Sequence, residues 1–447
     1  MPAFQTPQAL RRMHANTTQL SLDVDSVSSI NALPIEILTK IFVCCLDDSA
    51  FRVPAAKQAP LLLCGICCLW RSIAISTPGF WCSMKIASTV SPDFIDTWLS
   101  RAKGNPLSIA FTLDSGSPLA NLPFRPKHTR RYLDAIMAHS DHWQSLEIMI
   151  FPDAPLGLLN KLSKVPRLER LILRYPHGTR MCGRSPLDYI FRSSSHLRQV
   201  FIFGDDKTIS MPLLWHLPSS NLKTLCTDSL LHPDECLGFL SRSRELEQGY
   251  FRLAYWTLQT PLWTSSNPIM LKNMQILSLQ TTTTLTDLFI NLALPALRIL
   301  RIGYSGLDSW SHRAFLSFIS PFSSQLETLR LDRPPVLEAQ LIEYLRFLPS
   351  LTELALKDRP NFPMIGNELM CSLTYHIGDD GGSATYLCPK LTELALFGAN
   401  DCTDERLVDM LNSRWQLAPT LQKSDDTVVS ISPVIHSSLP LQKESHD

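Results

Sequence analysis

The 447-residue sequence lacks any excess of charge: 41 lysines and arginines stand against 41 aspartates and glutamates. A nucleic-acid-binding chain carries a basic excess or a basic stripe, and neither is present. Long apolar runs are also missing. The longest, "APLLLCGICCLW" at 59–70, falls well short of the roughly 20 residues that cross a bilayer, so no membrane association is expected. The opening "MPAFQTPQALRRMHANTTQL" has Arg11 and Arg12 but no apolar core of the kind a secretory signal needs. The twelve cysteines are therefore expected to be reduced thiols, and the compartment to be cytoplasmic and/or nuclear.

Catalytic signatures are absent too. There is no G-x-S-x-G, no H-E-x-x-H, no Walker loop and no kinase set. "GYSG" at 303–306 is one residue short of a nucleophile elbow, and "HIGDDGGSATY" at 376–386 has no lysine after it to hold phosphate. Six cysteines crowd into 44–82, and Cys64 and Cys67 form a C-x-x-C. Zinc would need a second spaced pair, yet no histidine lies between 15 and 127. These cysteines read better as small buried hydrophobes. No cofactor and no metal is expected, and the chain reads as a non-enzyme.

What the sequence does have is apolar pattern of two kinds. The first is "LPIEILTKIFVCCL" at 33–46. Pro34 suits a first helical position, because its missing N–H would go unpaired there. Glu36 suits the first turn, where the helix dipole favours a carboxylate. At about 100° per residue, Leu33, Ile37, Ile41 and Cys44 form one stripe and Leu38, Phe42, Cys45 and Leu46 another. A surface helix normally shows a single stripe. This helix therefore faces two apolar surfaces, one its own domain and the other a partner or more of the same core. It is expected to end at Asp47–Asp48. A linker with Pro54 and Pro60 leads to a second apolar helix around 60–76, with a break expected at Gly65, and then to "GFWCSMKI".

The second pattern is a repeat. "LERLIL" (168–173), "LRQVFI" (197–202), "LKTLCT" (222–227), "LEQGYF" (246–251), "MQILSL" (274–279), "LRILRI" (297–302), "LETLRL" (326–331), "LTELAL" (351–356) and "LTELAL" (391–396) follow L-x-x-L-x-L, with "LEIMIF" (146–151) as a weaker first member. Their starts are 22, 29, 25, 24, 28, 23, 29, 25 and 40 residues apart, at or near the period of leucine-rich repeats in all but the last. The second and third apolar positions are two apart and so share one face of a strand. "SHRAFLSFIS" (311–320) and "EAQLIEYLRFL" (338–348) have helical spacing in the return segments. Strand and helix alternating at this period predict an α/β solenoid with a parallel sheet, stacked because no repeat buries its face alone. A parallel α/β domain of another kind has the same alternation, but the phrasing "LPALRILRI", "LPSLTELAL", "CPKLTELAL" favours the solenoid. The expected organisation is a flexible tail at 1–28, a helical domain at 29–86, irregular repeats at 87–417 and a second flexible tail at 418–447.

The first region resembles an F-box. The match runs through Leu33, Pro34, Glu36, Ile37, Leu38, Ile41 and Phe42, then Ile66, Cys67, Trp70, Arg71, Ile73 and Ala74, and ends on Trp81. Its longer loop, with "STPGFW" after it, looks like the version abundant in mushroom-forming fungi, in which an F-box precedes irregular leucine-rich repeats. "DERLVDMLNSRW" (404–415) is similar to a closing segment of those proteins. The sequence departs from the family at Cys68, where a basic residue is usual. The resemblance implies a fold with a small helical F-box before a curved solenoid. It implies docking on the Skp adaptor of a cullin–RING ubiquitin ligase, with Leu33, Pro34, Ile37, Ile41 and Trp70 as adaptor contacts and Leu38 and Phe42 in the F-box's own core. The repeats would then hold an unknown protein substrate. An alternative is a repeat scaffold, or an adaptor-binding protein acting outside ubiquitination.

On each strand the residues between the inward leucines face the other side. They include Arg170, Ile172 and Arg174; Gln199, Phe201 and Phe203; Tyr250 and Arg252; Arg301; and Arg330. Arginine and aromatics are the types enriched at binding hot spots. The expected partner is an acidic or phosphorylated peptide or an acidic protein surface, with Glu353 and Glu393 turning the far end acidic. The plain alternative is a solvated strand face with arginine stems lying over exposed rings.

Overall fold

The computed structural model describes residues 28–86, 90–112, 126–149, 165–175, 194–204, 217–255, 267–306, 310–359, 362–375, 386–398 and 401–415. The two expected tails, apart from Ser28, and most of the Gly-rich insertion after 375 lie outside them. The chain forms two compact units, Met1–Ser145 and Leu146–Asp447.

In the first unit a short turn, α1 (Ser28–Asn31), precedes α2 (Ile35–Cys44), α3 (Leu61–Ile66) and α4 (Cys68–Ser76). Pro34 is the N-cap of α2 rather than its first helical residue: its ψ of 145° is extended, so the helix starts at Ile35. α2 also stops earlier than the apolar pattern suggests, at Cys44. The break between α3 and α4 falls at Cys67 (φ −153°, ψ 172°) and not at Gly65, which is inside α3. There the Cys67 thiol accepts from the Trp70 N–H at 3.5 Å and caps α4. The helix ends at Ser76, before Pro78, as steric conflict with the proline ring requires.

The core of this unit is aromatic. Leu38 and Phe42 of α2 are fully buried, as are Phe80 and Trp81 of the 3-10 turn Pro78–Trp81. The Trp81 indole donates to the Ala74 carbonyl at 2.8 Å, so its polar atom is satisfied inside the core. Strand β1 (Ser83–Ile86), α5 (Pro92–Ser100), β2 (Leu107–Thr112) and α6 (Pro126–Met137) follow in the same unit. Trp98 of α5 meets Trp81 edge-on at 4.8 Å, and Arg101 lies 4.4 Å above the Trp81 ring.

The repeats form β3 (Trp143–Met149), β4 (Arg170–Arg174), β5 (Gln199–Phe203), β6 (Thr224–Leu231), β7 (Gln248–Leu253), β9 (Ile276–Thr281), β11 (Ile299–Tyr304), β12 (Thr328–Asp332), β13 (Glu353–Lys357) and β14 (Glu393–Phe397). The small strands β8 (Ile269–Met270) and β10 (Leu292–Ala293) pair with each other. The main sheet has twelve strands in chain order, and every pairing whose register is described is parallel. The α/β repeat architecture expected from the leucine spacing is therefore present. Parallel neighbours need a return segment, and helices supply several of them: α7 (Pro233–Leu240), α8 (Thr286–Asn291), α9 (His312–Ile319), α10 (Glu338–Arg346) and α11 (Asn367–Leu373). A last helix, α12 (Asp404–Trp415), follows β14 and has the bounds of the closing segment. Helices α9 and α10 lie within the segments whose spacing is helical.

Register explains the repeat. Leu171, Val200, Leu225, Gly249, Leu277, Leu300, Leu329, Leu354 and Leu394 form one row across the sheet, all buried. The leading residues Leu168, Leu197, Leu222, Leu246, Met274, Leu297, Leu326 and Leu351 have no exposed surface. The first member corrects the sequence reading. Trp143, Leu146 and Ile148 are buried, so the repeat there is "WQSLEI" (143–148) and starts three residues before "LEIMIF". A tryptophan takes the place of the leading leucine. The last copy is looser, with Leu391 and Leu396 only half-buried, as suits an edge strand with one neighbour.

Candidate functional site

Two surfaces stand out, one in each unit. The first belongs to the helices before residue 77. Among the described residues seventeen large apolar side chains are exposed and eleven of them fall within residues 30–75, so the uncovered apolar surface described is concentrated there. The two stripes of α2 divide cleanly at their centre. Leu38 and Phe42 point inward, whereas Leu33, Ile37 and Ile41 are 36–42% exposed. Pro34 is exposed as well. Ile35 and Val43, which sequence reasoning did not single out, are more exposed still at 57% and 52%. Ile66 and Leu69 of α3 and α4 add to the patch. Periodicity marks all of these as apolar but does not say which stripe is inside.

Trp70 joins the two layers. It is half-buried, its ring lies 4.7 Å from Phe42, and its indole donates to the Asn31 side chain at 3.1 Å. Arg71 is spent internally, its Nε donating to the Cys64 carbonyl at 2.7 Å. The cysteines correct the sequence reading. Cys44, Cys45 and Cys68 are exposed, and Cys64, Cys67 and Cys82 only half-buried, because the stripe that turns inward is filled by Leu38 and Phe42 instead. Among the described residues no group of three His, Cys, Asp or Glu is placed to hold a metal ion, and no helix is long and apolar enough to cross a membrane.

The second surface is the open face of the repeat sheet. Three rows run across it. One begins Arg170, Gln199, Thr224, Gln248. The middle row reads Ile172, Phe201, Cys226, Tyr250, Ser278, Arg301, Arg330, Ala355, Ala395. The third contains Arg174 and Phe203 at one end and Arg252, Gln280, Gly303, Asp332, Lys357 and Phe397 farther along. The alternation of the strands thus brings Arg170, Arg174, Phe201, Phe203, Tyr250, Arg252, Arg301 and Arg330 to one face. They are not equally open. Phe203 is buried beneath Arg174, whose guanidinium lies 4.9 Å above its ring. Arg170 covers Phe201 in the same way, also at 4.9 Å, and the two rings stack at 6.4 Å.

Several of these cations are tied to acceptors that the leucine pattern does not reveal. Arg174 Nε donates to Glu147 at 2.7 Å, and Arg330 Nε to Glu353 at 2.6 Å. Arg252 donates to the Asp228 main-chain carbonyl at 3.0 Å. Asp228 sits in a bulge of β6, where the register with β7 shifts between Cys226 and Leu230. Burial lowers the pKa of the Arg170 guanidinium, against the pull of Glu147. It raises that of Tyr250, whose hydroxyl shares a hydrogen bond with Arg301. In the middle of the face, burial pushes the Cys226 thiol up to about 12, so this thiol stays protonated and unreactive. Ser305 of "GYSG" hydrogen-bonds the Thr281 carbonyl at 3.3 Å, a contact between neighbouring repeats.

No family model matches the chain, and neither does any curated protein. Among solved structures it is similar to a chain in the crystal structure of the yeast Rad7 and Elc1 complex. The identity is 14%, 90% of this chain and 96% of that chain are covered, and the TM-score is 0.43. A likeness at that level carries no argument about function, which rests on the residues described above.

Proposed function

We propose that the chain is the substrate-recognition subunit of a Skp–cullin–F-box ubiquitin ligase, working in the cytoplasm or nucleus. The observation that carries this reading is the uncovered apolar stripe of α2, Leu33, Ile37 and Ile41, on the residues that resemble an F-box. Covering what remains exposed of each of these side chains contributes roughly 1 kcal/mol. Ile35, Val43 and Ile66 are more than half exposed and would add to that sum. In this reading the helical unit docks on the Skp adaptor, and through it on a cullin. The repeat sheet holds a protein substrate, whose lysines gain effective concentration near the ubiquitin donor. The chain supplies contacts and position, and the bond-making belongs to other subunits.

Co-expression with a Skp adaptor tests the proposal. The wild type should elute with the adaptor as a stoichiometric complex on gel filtration, and the Leu33→Asp, Ile37→Asp double variant should not. A folded wild type that fails to bind sinks the reading. A complex that forms but excludes cullin supports instead an adaptor-binding scaffold outside ubiquitination.

A further inference from the structure

The cations of the open sheet face differ in one respect. Arg174 and Arg330 are neutralised within the face by Glu147 and Glu353. Arg170 and Arg301 form no ion pair with any carboxylate of the described residues, although Glu147, already paired with Arg174, also pulls on Arg170. Both are nonetheless held in place. The Nε of each is sealed from water without a hydrogen-bond partner, Arg170 is fixed over the Phe201 ring, and Arg301 is hydrogen-bonded to Tyr250. A cation already ordered loses less freedom on binding than a flexible surface lysine.

The floor between them is only half-polar. The middle row supplies Phe201, Cys226, Tyr250 and Ser278, half-buried or buried. From β4 to β11 the sheet order makes five strand steps, about 24 Å at the usual strand spacing, a span that an extended polypeptide covers in about seven residues.

We propose that this face binds an extended acidic segment of a partner protein. One carboxylate meets Arg170, a second about seven residues away meets Arg301, and apolar side chains between them lie on Phe201 and Tyr250. The proposal rests on the receptor reading above and names its substrate class. Charge complementarity favours a peptide over a nucleic acid. A strand of DNA or RNA presents a phosphate at every residue and is met by a continuous basic groove with stacking rings. Here the two arginines without an ion pair flank a largely uncharged stretch of floor, in a chain with no net charge.

The test is a random, unphosphorylated twelve-residue peptide library displayed on phage and selected on the purified full chain. Selected sequences should carry two acidic positions six to eight residues apart with apolar residues between. A synthetic peptide of that consensus should bind the Arg170→Met, Arg301→Met variant at least ten-fold more weakly than the wild type. Methionine keeps an apolar stem over Phe201, and the same protein should still co-purify with the adaptor, which separates failure here from failure of the receptor reading. Arg346→Met, at an exposed position on α10, should leave binding unchanged. On the wild type alone, raising salt from 50 to 300 mM should weaken the peptide several-fold. The proposal is overturned by selection without acidic enrichment, by no selection, by salt-independent binding, or by equal affinity in a folded double variant. It is also overturned if twelve-nucleotide single-stranded DNA binds more tightly than the selected peptide.

Discussion

The Phe251 ring occupies the space that a side chain at Gly249 would need: a Cβ built on Gly249 falls 2.6 Å from Phe251 Cε2. Both residues are in β7, and Gly249 stands in the row otherwise filled by leucine and valine. The fifth L-x-x-L-x-L copy thus replaces two medium side chains by one absent and one large. Restoring the leucine alone overfills the core. Gly249→Leu is expected to cost about 1–3 kcal/mol in chemical denaturation. Adding Phe251→Leu, which alone leaves a void, should recover part of that loss. A positive coupling in the double-mutant cycle checks the compensation.

Leu38 and Ile37 are neighbours with opposite fates. Leu38 has no exposed surface, and Ile37 is 42% exposed. Leu38→Ala should destabilise the helical unit by about 2–5 kcal/mol, the range for an aliphatic core truncation. Ile37→Asp should change thermal stability by no more than about 0.5 kcal/mol and still abolish co-elution with the adaptor. Equal loss of stability in the two variants would mean that the α2 stripe is core rather than docking surface.

These two cases mark what the sequence makes legible. The phase of the repeats is readable because each buried row demands an apolar side chain at fixed spacing, and Leu171 through Leu354 supply it at every step but Gly249. It slips where another residue does leucine's work. Trp143 leads the first copy, and "LEIMIF" draws the eye three residues too late. Period alone also could not choose between the two stripes of α2, since either would satisfy it; that depended on α4, whose Trp70 ring lies against Phe42. On the open face, strand alternation places the arginines together. Which of them are free to bind is decided by Glu147 and Glu353, whose positions against the arginines come from registering one strand on the next.

Glu235 gives the repeats a pH dependence. It lies in the first turn of α7, 4% exposed, and one carboxylate oxygen accepts from the His232 N–H at 3.0 Å. Burial raises its pKa from 4.5 to about 7, more than that hydrogen bond lowers it. The folded state therefore holds this proton more tightly than the unfolded chain. Its contribution is full below about pH 4.5 and is lost as pH rises toward 7. Asp358, raised to about 6 mainly by burial, acts in the same direction. His232, lowered by burial, opposes both as pH falls. The difference between Glu235→Gln and wild type isolates the contribution of Glu235. The variant should gain stability relative to wild type as pH rises from 5 to 8, by about 1–3 kcal/mol. A difference that stays flat across that range would mean that Glu235 does not titrate there.

Arg414 fastens the last helix. Its guanidinium donates to three main-chain carbonyls, Leu373 at 2.8 Å, Leu387 at 2.6 Å and Cys388 at 3.1 Å, so α12 is tied to the end of α11 and to the residues leading into β14. Those carbonyls belong to segments flanking the long insertion between the last two repeats. A planar group with several donors reaches all three at once, and an ammonium on a flexible stem does not. Arg414→Lys should therefore behave much like Arg414→Met. Each is expected to destabilise the C-terminal repeats by about 2–3 kcal/mol, through acceptors left partly unpaired. Hydrogen exchange should locate the loss in α11, β14 and α12 and leave β4 to β9 protected as before. Uniform loss of protection across the sheet would show that the repeats unfold as one unit, with α12 a keystone rather than a cap.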